Sequence, residues 1–409
     1  MKLGEITMTR SSVLRGALLG LAGLVLASCG GLNKMNGLLS DNPSAPTDSA
    51  TLDQPVQPTV AGAGSKVALL LPLSAPGDTG DIALGMKNAA ELALIDAGGS
   101  GVTLITKDTL GTAEGATAAA QQALDEGAQL IIGPLLGSEV QAVAPMAQAK
   151  KVPVVAFSSS SSVAGNGVYL MSFLPEEEVS NIVRYASEKG LTKLAAILPK
   201  SQYGSVVEQS FLRAAQAKNI TVPGITRFPR NAQAMRDPAR EAVGTLNDPE
   251  RDVKAVLIAE GGPMLTSLGV NLKQAGFDPN KVTRLGTGLW DADGTSDIPL
   301  AQGGLFAGVA PEFVKRFDDR YGQQYFGKPN RIASLAYDAV SLSIILARNP
   351  EGQRFTEAAI TNPEGFQGVN GLFRFRKNGL IERGLAILQV MPGGKPQVVE
   401  AAPERFPPG

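Results

Sequence analysis

The residues in this chain that could do chemistry suit binding better than bond-making. Five serines run consecutively from Ser158 to Ser162. A run of hydroxyls and backbone N–H groups at a strand end can cradle a carboxylate, or it can be no more than a polar loop. Glu176, Glu260 and Asp291 could each take an ammonium group, and each equally suits a solvated loop or the first turn of a helix. Tyr203 either closes on a ligand through its ring and hydroxyl or caps the helix that follows it. Trp290, the only tryptophan, either lines a cleft or packs inside a lobe.

Histidine is absent from the sequence. That excludes Ser-His-Asp and Cys-His nucleophilic systems, imidazole relays and His-ligated zinc. Carboxylate-pair hydrolysis stays formally open, but no convincing nucleophile stands out. The chain therefore reads as non-enzymatic, with no cofactor and no metal site. Glu176-Glu177-Glu178 reads as a helix start favoured by the macrodipole. Gly62-Ala63-Gly64-Ser65-Lys66 lacks the spacing of a phosphate loop. Arg374, Arg376, Lys377 and Arg383 fall on short C-terminal strands and read as a solvated face or a contact for an anionic partner.

The elements that must position these residues alternate regularly. Apolar strands at 67–73, 102–108, 130–135 and 152–157 are each followed by a segment of helical periodicity. In the first of these, Ile82, Met86, Ala89, Ala90 and Ala93 recur at spacings of three and four. The fourth strand delivers the chain into the serine run. A second series follows, with strands at 194–198, 224–228, 253–259 and 282–286 between helices at 176–189, 204–217, 232–246 and 265–274. Helices at 311–325 and 332–347 and short strands at 372–375 and 385–391 complete the chain. This order predicts an α/β fold of two doubly wound lobes with a central cleft, ligands sitting outside the C-terminal strand ends. The 37 basic and 38 acidic residues form no basic block, so nucleic acid is not an expected partner.

The N-terminus carries a different message. Lys2, Arg10 and Arg15 precede or flank an apolar run, 16–27, that is short for a permanent membrane span. Cys29 is the only cysteine, so no intramolecular disulfide can form. Leu26-Ala27-Ser28-Cys29 resembles the lipobox of bacterial lipoproteins. The resemblance implies a signal peptide over 1–28, cleavage before Cys29, and acyl chains on Cys29 that tether the protein to a membrane. Residues 29–65, rich in Gly, Pro, Ser and Thr, then form the anchor and a disordered tether. Gly30 in place of an aspartate favours the outer over the inner membrane in the periplasm.

The globular region resembles type I periplasmic solute-binding proteins of the leucine/isoleucine/valine-binding kind. The residues that carry this are VALLLPLSAPGDTGDIALGMKNAAELAL from Val67, GPLLGSEVQAVAPMAQAKKVPVVAFSSSS from Gly133, YGSVVEQSFLRAA from Tyr203 and YDAVSL from Tyr337. The resemblance implies two discontinuous lobes joined by crossings near Leu174, Ser296 and Gln353: lobe 1 from 66–174 plus 297–352, lobe 2 from 175–296 plus 353–402. It places Ser158, Ser159 and Ser160 in the carboxylate-binding loop and Tyr203 in the cleft. Transport receptors carry a second carboxylate-binding serine where Gly137 stands here, with Ser138 one position away. Their ammonium-binding acid corresponds to Gly288, leaving Asp291, Glu260 or Glu176 to substitute. Within the family, GTGLWD from Gly286 and GFQGVNGLFRF followed by Arg383 are most similar to penicillin-binding-protein activator lipoproteins. That implies regulation of peptidoglycan synthesis through contact with a synthase. With Gly137 in place of the second serine and Gly288 in place of the acid, common amino acids are not expected to bind. The alternative is a substrate-binding receptor for a branched-chain-like amino-acid ABC transporter, with an ABC permease as partner and a small amino-acid-like ligand.

Overall fold

The computed structural model describes residues 64–98 and 101–406. The lipobox, Cys29 and residues 30–63 of the expected tether lie outside the described residues; Ser65, expected to end the tether, is buried and opens the first strand. The first sheet is built from β1 (Ser65–Leu71), β2 (Val102–Asp108), β3 (Leu130–Ile132), β4 (Val154–Ala156) and β5 (Val168–Leu170). Its order is β2-β1-β3-β4-β5, with every pair parallel. Helices α1 (Asp78–Asp96), α2 (Ala113–Asp125) and α3 (Gly137–Ala149) make its crossovers. Because helices cover the sheet, β1, β3 and β4 are apolar without alternation, as a strand buried on both faces must be.

The chain then enters α4 (Pro175–Glu188), whose Pro175 stands at the first helical position ahead of three acids in the opening turn. A second series follows: β6 (Leu194–Pro199), α5 (Gln202–Ala217), β7 (Ile225–Phe228), α6 (Arg236–Asn247), β8 (Ala255–Ile258), α7 (Gly262–Gln274), β9 (Thr283–Gly286) and β10 (Leu305–Gly308). Next come α8 (Pro311–Tyr325), α9 (Ala333–Ala347), the single turn α10 (Glu357–Ile360), and a small antiparallel sheet of β11 (Phe366–Gly368), β12 (Gly371–Phe375) and β13 (Ile381–Arg383). Two last strands, β14 (Ala386–Gln389) and β15 (Gln397–Glu400), join the second large sheet, whose order is β15-β14-β10-β9-β8-β6-β7. Parallel pairing runs from β7 to β10, and β14 and β15 add antiparallel strands.

Two lobes follow from what packs on each sheet. The first core joins β1 to β5 with Leu335, Ala336, Ala339 and Val340 of α9, and with Phe366, Phe373, Phe375 and Ile381 of the small sheet. The faces of the seven-stranded sheet carry two further cores, one around Trp290, Leu268 and Phe306, the other around Val183, Phe211 and Ile387. This corrects two of the expected lobe boundaries. Residues 298–308 belong to the second lobe, because Ile298 and Leu300 pack in its core and β10 pairs with β9 and β14. The chain recrosses at Ala310-Pro311, not at Ser296. Residues 353–383 stay with the first lobe, so the last crossing lies at Arg383–Leu385 and not at Gln353. Apolar periodicity marks a strand but cannot say which of two similar sheets it joins; pairing register decides that.

Candidate ligand cleft

A cavity of about 300 Å³ lies where the lobes meet, lined by residues at or beside all three crossings: Phe173 to Pro175, Gly308 with Val309, and Ile381, Arg383 and Leu385. It shares Gly288, Leu289, Asp291, Val309 and Arg331 with a larger groove of about 1040 Å³. Its volume suits a small molecule, and its place beyond the strand ends is where doubly wound sheets hold ligands.

Of the serine run, Ser159 lines the cavity. The buried Ser158 Oγ accepts from the Ser160 N–H at 3.1 Å, and the hydroxyls of Ser160 and Ser162 bond each other at 2.8 Å. The loop thus spends most of its polar capacity on itself. A methyl on Gly137 would come to 3.2 Å from Ser158 Oγ, so a serine there would crowd this loop. Ser138 is exposed on α3 and is not among the cavity residues.

From the second lobe, Tyr203 lines the cavity, and its hydroxyl bonds Thr287 Oγ1 at 2.7 Å. Burial pushes its phenol upward in pKa. It does not cap its helix: Ser201 does, accepting from the Gly204 N–H. Glu260 is buried, paired with Arg230 (Nε to Oε2, 3.1 Å), and is not among the cavity residues. Trp290 is 1% exposed and packs in the second lobe's core, with Nε1–H donating to the Glu260 carbonyl at 3.0 Å. Gly286 and Gly304 lie so close to its ring that a methyl on either would overlap it. Trp290 therefore packs the lobe and at most borders the groove. Asp291 does line the cavity, and its Oδ2 accepts from Arg331 Nη2 at 2.9 Å.

Four cavity residues are not among the ligand-binding expectations: Phe173 and Arg331 draw no attention in the sequence, Glu178 reads there only as part of a helix start, and Arg383 only as part of the C-terminal basic cluster. Glu178, in the first turn of α4, is half-buried, and its Oε2 accepts from the Gly288 N–H at 2.8 Å. A methyl on Gly288 would overlap this carboxyl. The missing side chain at 288 is thus what admits Glu178, and Glu178 brings a carboxyl to where the resemblance expected an acid. Burial pushes Glu178 up to about 7, against the pull of the Gly288 N–H and of Arg331. Glu177 rises to about 7 as well, again through burial, though its Oε1 pairs with Arg376 Nη1 at 2.9 Å. Burial also raises Asp291, opposed by Arg331. Glu176 is not among the cavity residues.

Arg383 overturns the solvated-face reading of the C-terminal arginines. It is 3% exposed, with Nε donating to the Ser172 carbonyl at 3.1 Å and Nη2 lying 3.6 Å from Met171 Sδ. Phe173 lies within cation–π distance of two guanidiniums, its ring centroid 4.3 Å from Arg331 and 4.9 Å from Arg383. Burial lowers Arg383 to about 10, with Asp338 opposing. Arg374 and Arg376 both pair with Glu382. No group of three or more metal-ligating side chains occurs among the described residues.

Comparison with solved structures supports the same architecture. A putative branched-chain amino acid ABC transporter from Rhodospirillum rubrum superposes with a TM-score of 0.70 at 19% identity, covering 82% of this chain and 100% of its own. A solute binding protein of an ABC transporter from Rhodopseudomonas palustris, in complex with 3,4-dihydroxybenzoic acid, gives 0.60 at 18%, covering 84% and 97%. The branched-chain amino acid transporter substrate binding protein LivJ from Streptococcus pneumoniae, in complex with isoleucine, gives 0.57 at 18%, covering 83% and 100%. A comparison with curated proteins gives no match. The family model described as periplasmic binding protein matches residues 65–395, which takes in every cavity residue and every strand of the two large sheets except β15, and the chain belongs to that family.

Proposed function

We propose that this protein is a periplasmic solute receptor whose interlobe cleft captures one small carboxylic, amino-acid-like solute and presents it to an ABC permease. The observation that carries this is the cavity itself. It is framed by all three crossings and offers Ser159, Tyr203, Glu178 and Arg383 around an apolar wall of Phe173, Leu174, Val309 and Leu385. The ligands named for the similar structures, isoleucine and 3,4-dihydroxybenzoic acid, differ in shape and share a carboxylate. Closure of the lobes about the crossings would bury such a ligand, as hinged receptors do. The receptor is non-enzymatic. Acylation of Cys29 would tether it, with the outer membrane favoured by Gly30.

The test is a thermal-shift screen of the full chain against the standard amino acids and small carboxylic acids, followed by calorimetric titration. A true ligand at a hundredfold excess over its dissociation constant stabilises by about 2.7 kcal/mol. Saturable one-to-one binding, weakened by Tyr203→Ala, is the expected result. A flat screen refutes the reading.

A second reading, regulation of a peptidoglycan synthase as a penicillin-binding-protein activator, is favoured by one observation. The segments similar to those activators supply neighbours of the charged residues around the cavity. Gly288 faces Glu178 and Asp291 pairs with Arg331, while Gly368, Val369 and Asn370 surround the buried Asp338, the acid nearest in influence to Arg383. Retention of a cell-wall synthase by the tethered protein, together with a flat ligand screen, would establish that reading in place of the first.

A further inference from the structure

Residues 401–406 follow β15 and form neither helix nor strand, yet their contacts lead from one lobe to the other. The segment starts firmly on the second lobe. β15 pairs with β14, Glu400 Oε1 accepts from Nη2 of Arg184, in α4, at 2.6 Å, and Ala402 packs against the core around Trp290. Pro403 then lies on the last crossing, where a methyl on Gly384 would come to 3.1 Å from its ring. Gly384 separates Arg383 from Leu385, and both of those line the cavity. The exposed Glu404 and Arg405 carry the chain on to Phe406, which is half-buried against the first lobe. Its ring centroid lies 4.4 Å from the Arg374 guanidinium, and a methyl on Gly365 would stand 3.0 Å from the ring. Arg374 is held by Glu382 (Nε to Oε2, 3.0 Å) and by the Pro363 carbonyl (from Nη1, 2.9 Å), so the ring docks on a positioned cation. Glu382 also holds Arg376, whose Nη1 reaches Glu177 of α4 at 2.9 Å. The small sheet thus takes two links from the second lobe, one through Phe406 and one through Glu177. The segment lies beyond residue 395, where the match to the family model ends.

We propose that residues 401–406 are a strap that restrains the opening of the two lobes, with Phe406 as its catch on the first lobe. The three crossings form the hinge. A fourth link, leaving the second lobe at Ala402 and fastening on Arg374, shortens the swing. Separating the lobes pulls Phe406 off Arg374 and Gly365, or Pro403 off Gly384, and either step returns an apolar ring to water. Losing the contact of one ring with a cation shifts the balance between closed and open forms by about threefold. Because Pro403, Glu404 and Arg405 are exposed, the strap can lift without unfolding either core. Only the movement of the lobes is taken from the receptor reading, and no property of the ligand.

The test measures the interlobe distance in the full chain, without ligand, by pulsed electron paramagnetic resonance. Spin labels are placed at Ala118→Cys in α2 and Ala217→Cys in α5, exposed positions that report one lobe each. Cys29→Ser is added so that no third thiol is labelled. Phe406→Ala is expected to raise the population at longer distances by about threefold. A chain ended at Ala402, which keeps the packing of that residue on the second lobe, should raise it at least as much. Phe406→Trp, which keeps a ring over Arg374, should keep the distribution of the parent. Distributions in Phe406→Ala and in the shortened chain that match the parent would overturn the strap. A shift in Phe406→Trp as large as that in Phe406→Ala would do the same. Since no ligand enters the measurement, either result leaves the receptor reading to be decided by the ligand screen.

Discussion

Replacing Glu178 by glutamine should make the unliganded protein more stable above neutral pH and worse at its task. The folded protein holds this carboxyl at about 7, against an ordinary value of 4.5, because burial disfavours its charge. Between pH 4.5 and 7 the native state keeps a proton that the unfolded chain has released. The stability that depends on this proton is fully present below about pH 4.5 and is lost as pH rises through 7. A shift of that size corresponds to about 3 kcal/mol at pH 8. Partial solvent access at this half-buried carboxyl reduces the expectation to about 1–2 kcal/mol. Glutamine has the same length, stays neutral, and its carbonyl oxygen can still accept the Gly288 N–H. Urea denaturation of both proteins at pH 4.5 and pH 8 is the assay. The two should agree within about 0.5 kcal/mol at pH 4.5, with the glutamine variant more stable by about 1–2 kcal/mol at pH 8. Glu177 titrates in the same window, but it is present in both proteins and cancels. Equal stabilities at both pH values, or a glutamine variant weaker at pH 8, would refute the claim that Glu178 is held ionised at a cost.

Other substitutions probe the remaining contacts. Gly288→Ala should drive the Glu178 carboxyl from its N–H partner, destabilising by about 1–3 kcal/mol and abolishing ligand-induced stabilisation; unchanged binding would separate Glu178 from the site. Trp290→Ala should cost about 3–5 kcal/mol in urea denaturation, as expected of a core side chain, and a near-neutral result would return Trp290 to the cleft surface. Cys29→Ser should move the protein from the membrane to the soluble fraction or leave an uncleaved precursor, with the thermal transition of the folded region unchanged. Detergent partitioning like that of the wild type would remove the lipid anchor from the account.

Much of the architecture could be read from the chain before any coordinates. Apolar strands without alternation, helical spacing between them and a restart of the series near residue 170 pointed to two helix-covered sheets built on parallel strands, because backbone polarity and apolar burial leave few other solutions; the antiparallel β14 and β15 on the second sheet came only with the structure. Ser159, Tyr203 and Asp291 were visible as polar residues at strand ends or helix starts, and they line the cavity. Glu260 and Trp290 carried the same local signature, but Glu260 meets Arg230, thirty residues away, and the indole ring is covered by Gly286 and Gly304 of two neighbouring strand segments, which the local pattern did not reveal. Local sequence determined that a polar or aromatic side chain would stand at each place; it did not determine what would face it. Tertiary packing alone decided that Arg383 would be buried with an open donor while Arg374 and Arg376 pair with Glu382. It also decided that a glycine at 288 would make room for a carboxyl from a helix more than a hundred residues earlier. The reason is physical: periodicity records which side of an element is buried, whereas a charge acquires its partner only when separate elements close around it.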